Sequence, residues 1–338
     1  MTIIALPGAL AAADQPALVN LSPGSAREVW AERRRALERS GRSSSPDGHH
    51  GSWQGRALHL AAYGFAWAAR LTGTHARGRR NALSPVLVER EFTFSDLPAA
   101  FDGYRILQIS DPHLDCLPEL AGIARRLVAG LNVDLVAITG DIHGSPRAPV
   151  ARSLMPLADL LTGPRAADAV VAVLGNHDPA GMADALEHVG IDALINESRV
   201  IERGGERLVV TGLDDVHRFY TPAAKRALRD APPGFRIALV HSAEIADHAA
   251  AAGFDFYLCG HTHGGQICLP NGRWLVTRLR RCRFGARGEW RAGAMIGYTS
   301  NGLGVGEVPL RFNCRGEIAV ITLRRGTPEI SRSKMLRS

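Results

Sequence analysis

The chain has 338 residues, 46% of them hydrophobic, and a formal net charge of +7. It is long enough to bury a large core and exceeds the commonest single-domain size. Its five cysteines (Cys116, Cys259, Cys268, Cys282 and Cys314) are odd in number, scattered and free of any CxxC pair. That argues against a disulfide framework and a structural zinc site, and favours a reducing compartment.

In chain order, MTIIALPGALAAAD has an apolar run and small residues but no basic start, which disfavours a signal peptide. ERRRAL lacks the apolar run that follows a twin-arginine signal. The reading is a cytoplasmic protein, with peripheral membrane contact and export as alternatives. AREVWAERRRALERS predicts a helix with Ser25 as N-cap, and GRSSSPDGHHGS (41–52) predicts a flexible linker. Ala57–Ala69 carries no charge and holds Tyr63, Phe65 and Trp67; it is too short to span a bilayer. The favoured reading is a helix packed on the rest of the chain. The alternative lies on an anionic membrane surface, helped by Arg77, Arg79 and Arg80. Met1–Arg90 holds twelve Arg against six acids, a surplus of six out of the +7.

Five predicted strands follow, each ending in a polar cluster. YRILQIS (Tyr104–Ser110) delivers Asp111 and His113, and VDLVAITG (Val133–Gly140) delivers Asp141. AVVAVLG (Ala169–Gly175) delivers Asn176, His177 and Asp178. FRIALVH ends on His241, and DFYLCG delivers His261 and His263. Polar clusters at the C-terminal ends of strands are the pattern of an α/β active site. Carboxylate and imidazole donors suit Mn, Fe or Zn. Asp141, with two oxygens, is the natural bridge between two cations, and Asn176 adds a neutral oxygen. A water held between two such ions loses a proton near neutral pH and becomes a nucleophile for phosphate esters. His177, followed directly by Asp178, suits a general acid whose tautomer a carboxylate fixes.

The order DxH, GD, GNHD, H, GHxH resembles the calcineurin-like metallophosphoesterases. GHTHGGQICLPNGRW, TSNGLG and PLRFNCRGEIAVITL are similar to the bacterial YkuE/YaeI-like branch. The resemblance covers roughly Ala99–Arg325. It implies an α/β metallophosphoesterase fold: a central β-sandwich flanked by helices in α-β-β-α layers, here with an N-terminal helical extension. It also implies one metal on Asp111, His113, Asp141 and His263, and another on Asp141, Asn176, His241 and His261. His177 would be the catalytic histidine and Asp178 its partner. The chain departs from the pattern at Pro112 and at the Ile-His-Gly after Asp141, without losing a ligand.

The expected division is 1–92 as a basic extension, 93–325 as the catalytic domain and 326–338 as a disordered tail. His143, His188 and His217 read as solvated loop residues, with His143 the best placed of the three for substrate. Seven arginines between Gly265 and Gly293 follow the last ligands and suit phosphate groups, or else cover a solvated hairpin. Aromatic residues among them are too sparse for a stacking platform, so nucleic acid is disfavoured. The function expected is metal-dependent hydrolysis of phosphate esters, foremost diesters, on a small-molecule or lipid-linked substrate, with no protein partner inferred. A pyrophosphate hydrolase of nucleotide-linked acyl sugars, or a non-catalytic metal-stabilised scaffold, is the alternative.

Overall fold

The structure, a computed structural model, describes residues 23–41, 43–46, 48–49, 53–145, 148–327 and 332–337. The signal-peptide reading of the first residues lies outside them. Among the described residues, three helices come first: α1 (Pro23–Ser40), α2 (Trp53–Leu71) and α3 (His75–Ala82), with a minimal hairpin, β1 (Ser44–Ser45) and β2 (Gly48–His49), after α1. Then come β3 (Val86–Phe94), β4 (Arg105–Ile109), α4 (Glu119–Val128), β5 (Asn132–Ile138), α5 (Ala151–Leu161), β6 (Arg165–Ala172), α6 (Gly181–His188) and β7 (Asp192–Ala193). The second half comprises β8 (Glu197–Arg203), β9 (Glu206–Gly212), α7 (Pro222–Arg229), β10 (Phe235–Leu239), α8 (Ala246–Ala251) and β11 (Phe256–Cys259). It ends with β12 (Gly288–Ala292), β13 (Met295–Thr299), β14 (Glu317–Arg325) and β15 (Arg332–Arg337).

Beyond the β1–β2 pair, the described strands form two mixed sheets. One has seven strands in the order β15-β3-β14-β4-β5-β6-β7, the other six in the order β12-β13-β11-β10-β9-β8. Side chains alternate along each strand, so one sequence supplies two cores. In β5, Leu135 and Ala137 face the opposite sheet, while Val136 and Ile138 face outward. In β11, Phe256 and Leu258 face inward, and Tyr257 and Cys259 outward. Leu120 and Ala124 of α4, Leu157 and Leu160 of α5, and Met182 and Leu186 of α6 cover the outer face of the first sheet. Ala224 and Leu228 of α7 and Ala249 of α8 cover that of the second. The result is the α-β-β-α layering that the motif order implies. Strands β4, β5 and β6 run parallel in one sheet, and β9, β10, β11 and β13 in the other.

Several expectations need correcting. Helix α1 starts at Pro23, so Ser25 lies in its first turn rather than at its cap; proline suits a helix start because its missing N–H is not needed there. The 41–52 segment carries the β1–β2 hairpin, whose Ser44 N–H donates to Arg218 O at 2.7 Å. The sheet takes in β3 and β15, which a catalytic domain of 93–325 leaves outside. The tail read as disordered contributes β15, antiparallel along β3, which would otherwise be an unpaired edge. Among the described residues, no helix is long and apolar enough to cross a membrane.

Candidate metal centre

All seven expected ligand residues meet at the C-terminal ends of β4, β5, β6, β10 and β11. Ligand atoms of Asp111, His113 and His263 lie within 4.8 Å of one another, and so do those of Asp141, His241 and His261. Six of the seven are buried; Asn176 is half-buried. The chain leaves each strand sharply. Asp111, His113, Asp141, His261 and His263 all have left-handed backbones, with φ between 41° and 72°. Non-glycine residues rarely adopt that conformation, and its clustering marks a site where geometry overrides local preference. Gly175 shows how tight the packing is: a Cβ there would lie 2.1 Å from Asp141 Oδ1.

Asp141 joins the two clusters. Its Oδ2 lies 3.6 Å from His113 Nε2 and 3.3 Å from His241 Nε2. Its Oδ1 accepts the His177 backbone N–H at 2.8 Å. The tautomers are fixed from behind. His113 Nδ1 donates to His143 O, and His241 Nδ1 to Thr139 O, each at 2.9 Å. Carbonyls can only accept, so on each neutral ring the Nε2 lone pair points inward. There His113 Nε2 meets His263 Nε2 at 3.3 Å, and His241 Nε2 meets Asn176 Oδ1 at 3.2 Å and His261 Nδ1 at 3.1 Å. The remaining ring nitrogens, His261 Nε2 and His263 Nδ1, are buried without a hydrogen-bond partner. Imidazole nitrogens, carboxylates and an amide oxygen thus converge within hydrogen-bond range, and the donor set fits divalent cations.

The ionisation pattern shows the same demand. Burial pushes the Asp111 carboxyl up to about 6 and pulls the His113 imidazole down to about 4. Burial also opposes charge on Asp141, but His241, His177 and His113 hold it well below the usual carboxylate range. Burial works against a charged His241 too, yet Asp141 beside it carries the imidazole up to about 10. Both shifts pair an ionised Asp141 with a protonated His241.

His177 is half-buried, its Nδ1 donating to Gly144 O at 3.0 Å. Asp178 does not orient it. The Asp178 carboxylate is buried and accepts the backbone N–H groups of His143 and Gly175, each at 2.8 Å. It ties the loop after Asp141 to the loop after β6, and burial raises its pKa. The expected imidazole–carboxylate pair is therefore corrected: adjacent residues in a turn point to opposite sides, and the carboxylate fills its own loop.

The other histidines divide. His143 is buried, with Nδ1 2.9 Å from Ser153 Oγ and Nε2 3.1 Å from Ala148 O, so it is neither solvated nor free for substrate. His188 is exposed. His217 packs on His261, ring centroids 4.3 Å apart, with Nδ1 3.0 Å from Glu244 Oε2.

Three supports escaped the sequence reading. Arg34 of α1 is buried, pairs with Asp214, and donates to Gly175 O at 2.8 Å and Asp178 O at 2.6 Å. Arg311 is fully buried and donates to the carbonyls of His263, Asn301, Gly302 and Gly304, gathering the loop beneath His263. Asp115 accepts the N–H groups of Gly144 and Ser145 at 2.7 and 2.8 Å. No local signal marks any of them, because their partners are distant backbone groups.

A cavity of about 280 Å³ opens beside the clusters, with Asp141, Asn176, His177, His261 and His263 at one end. Of the seven arginines between Gly265 and Gly293, Arg278 reaches this cavity and pairs with Glu307 at 2.5 Å. Arg281 pairs instead with Asp247.

Comparison with known proteins fits this geometry. The chain is 29% identical over 275 residues to the uncharacterized metallophosphoesterase YkuE of Bacillus subtilis, covering 78% of this chain and 94% of that one. It is 26% identical over 239 residues to phosphodiesterase YaeI of Escherichia coli, covering 68% and 84%. Among solved structures, a 5'-nucleotidase precursor from Thermus thermophilus aligns with TM-score 0.38 at 15% identity over 65% of this chain and 54% of that one, too distant to inform substrate. The family model for calcineurin-like phosphoesterases matches residues 104–265. That span opens at β4 and closes just past His263, so it holds every residue of both clusters, and over residues 104–265 the chain matches the calcineurin-like phosphoesterases.

Proposed function

We propose that the protein is a metal-dependent phosphodiesterase. Asp111, His113, Asp141 and His263 would hold one divalent cation, and Asp141, Asn176, His241 and His261 a second, with Mn, Fe or Zn suited to the donors. The observation that carries the reading is Asp141 Oδ2, placed between His113 and His241. Bound cations would neutralise phosphoryl charge and make a water nucleophilic near neutral pH. The chain's own groups do the rest. His113 and His241 present fixed tautomers because the carbonyls of His143 and Thr139 hold their far sides. His177 keeps Nδ1–H on Gly144 O, so proton exchange with substrate runs through Nε2. A charged His177 ring can then protonate the leaving alkoxide as general acid. Its backbone N–H on Asp141 Oδ1 ties the acid's position to the shared carboxylate. Asp178 fixes the loop that carries His177.

Diester preference draws support from the name of one relative, phosphodiesterase YaeI. The test is hydrolysis of bis-p-nitrophenyl phosphate, with p-nitrophenyl phosphate in parallel, by protein loaded with manganese. Faster turnover of the diester is expected. Faster monoester turnover would make the protein a phosphomonoesterase, and no turnover of either, with metals demonstrably bound, would reject the reading.

A further inference from the structure

Beyond the metal-site residues, the cavity beside the metal centre is lined largely by apolar side chains, with Gln266 and the Arg278–Glu307 pair among them. Away from the clusters it is walled by Ala62 and Phe65 of α2, by Leu275 and Val276 of the loop after His263, and by Ile267 and Val308. Leu275 is 60% exposed and Val276 42%, so one wall runs out to solvent as apolar surface. The other wall does the same. Helix α2 docks through Ala62, Ala66 and Ala69 onto Val308, Leu310 and Phe312. Its opposite face carries Leu60, Tyr63, Trp67 and Leu71, spaced as one helical stripe. These are 72%, 49%, 62% and 82% exposed. The helix therefore packs, as the favoured reading held, yet keeps its largest apolar side chains outward. A row this apolar beside a site mouth marks an interaction surface. One cationic group flanks it, and a second lies beside the docked face of α2. The Arg70 guanidinium lies 6.0 Å over Trp67, and that of Arg77 5.5 Å over Phe312, against which Phe65 packs edge-on.

We propose that the substrate is an amphiphilic phosphodiester with a long apolar chain, taken from an anionic lipid surface. The proposal rests on the phosphodiesterase reading of the metal centre. The phosphodiester sits among the metal-site residues, and the chain runs along the cavity between α2 and Leu275–Val276. The stripe of α2 lies in the lipid, with Arg70 at the headgroups. One helix decides the occupant: α2 lends Ala62 and Phe65 to the cavity wall and exposes Leu60, Tyr63, Trp67 and Leu71 beside Arg70, so a molecule reacting at the metal centre while still held by an anionic lipid surface uses both faces. A peptide or a second protein would leave the polar end unused.

The experiment uses the full chain loaded with manganese. Binding of dodecyl phosphate and methyl phosphate, below micelle formation, is measured by calorimetry. Each buried methylene is worth about a fourfold gain, so dodecyl phosphate should bind at least about 100-fold tighter. The double variant Leu275→Ser/Val276→Ser should lose at least about tenfold of that preference, since it removes one wall. In parallel, wild type and Trp67→Ser/Leu71→Ser are sedimented with vesicles of phosphatidylcholine and phosphatidylglycerol and with vesicles of phosphatidylcholine alone. Wild type should pellet with the anionic vesicles, and the variant should not. All four substituted side chains are exposed, and a thermal melt checks that each variant is folded. Equal binding of the two phosphates, an unchanged preference in the Leu275/Val276 variant, or wild type left in the supernatant each overturns the proposal. Tight dodecyl binding and sedimentation without hydrolysis of either nitrophenyl ester would reject the phosphodiesterase reading and leave the lipid inference standing.

Discussion

Arg34→Met removes a buried cation that holds the loop bearing Asn176 and His177. In the wild type, Arg34 pairs with buried Asp214, donates to the carbonyls of Gly175 and Asp178, and stacks 3.8 Å over Phe219. Methionine keeps much of the apolar stem and loses every one of those hydrogen bonds. Removing one partner of a buried pair costs about 3–5 kcal/mol, because the other charge stays behind. The loss is capped at the free energy of undocking α1, since an undocked helix lets water reach Asp214. Burial already raises the Asp214 carboxyl, with Arg34 and Trp30 opposing, and without Arg34 it rises further. The folded chain then keeps a proton that the unfolded chain has released. Stability therefore falls as pH climbs from the ordinary carboxylate value through the raised one. The deficit of Arg34→Met should be smallest at the acid end of that window and fully expressed at neutral pH. Urea denaturation across this range measures it. Adding Asp214→Asn should recover more than half of the lost stability, since no buried charge remains. It should not recover kcat, because Gly175 O and Asp178 O still lack their donor. Wild-type stability and kcat in Arg34→Met would refute the clamp. Recovery of kcat along with stability in the double variant would refute its action on the loop.

Asp141→Asn should weaken both cation sites together, so elemental analysis after metal loading should find well under two equivalents and turnover should vanish. His177→Ala should keep its metals and lose roughly 10²–10⁴-fold in kcat, with a smaller loss for esters of acidic phenols, whose leaving groups need little protonation. Metal loss as severe as in Asp141→Asn would make His177 a ligand instead. Gly175→Ala should displace the Asp141 carboxylate, since the new Cβ would lie 2.1 Å from Oδ1, and so lower metal content without touching a ligand; full metal occupancy would show that the loop yields easily.

The sheet strands and the meeting of the candidate ligand residues were legible in the sequence for one physical reason. A parallel strand buried on both faces must be apolar nearly throughout, as LVAI is in β5, so the first polar residues after it stand out. What was hidden depends on three-dimensional partners. Asp178 sits next to His177 in sequence, but its partners are backbone N–H groups of His143 and Gly175. His143 looked solvated because nothing local reveals Ser153 ten residues on. Arg34 reads as one more arginine in a basic helix, and only the fold places it beneath residues 141 and 144 positions away. The Ala57–Ala69 stretch of α2 mixes small and large apolar residues without charge, so its periodicity could not say that alanines face the protein and the largest side chains face out. The polar tail lacks an apolar alternation, and becomes a strand because β3 offers it an open edge.

The pairing of β15 with β3 sets Arg337 opposite Leu87. The two outermost strands at one side of the larger sheet, drawn from opposite ends of the catalytic fold, thus bring its start and finish side by side. A short turn joining them, with the chain reopened elsewhere, would preserve every strand neighbour of the two large sheets and leave α1, α2 and α3 outside the covalent path. The turn at Gly204–Gly205, with φ of 57° and 79°, suits a new opening, because β8 is the outer strand of the smaller sheet and carries no ligand. A circular permutant cut there would carry all seven metal-type residues on one chain. Helices α1, α2 and α3 could then be added back as a separate peptide, so that the Arg34 clamp and the exposed stripe of α2 become separable from the strands that carry the metal-type residues.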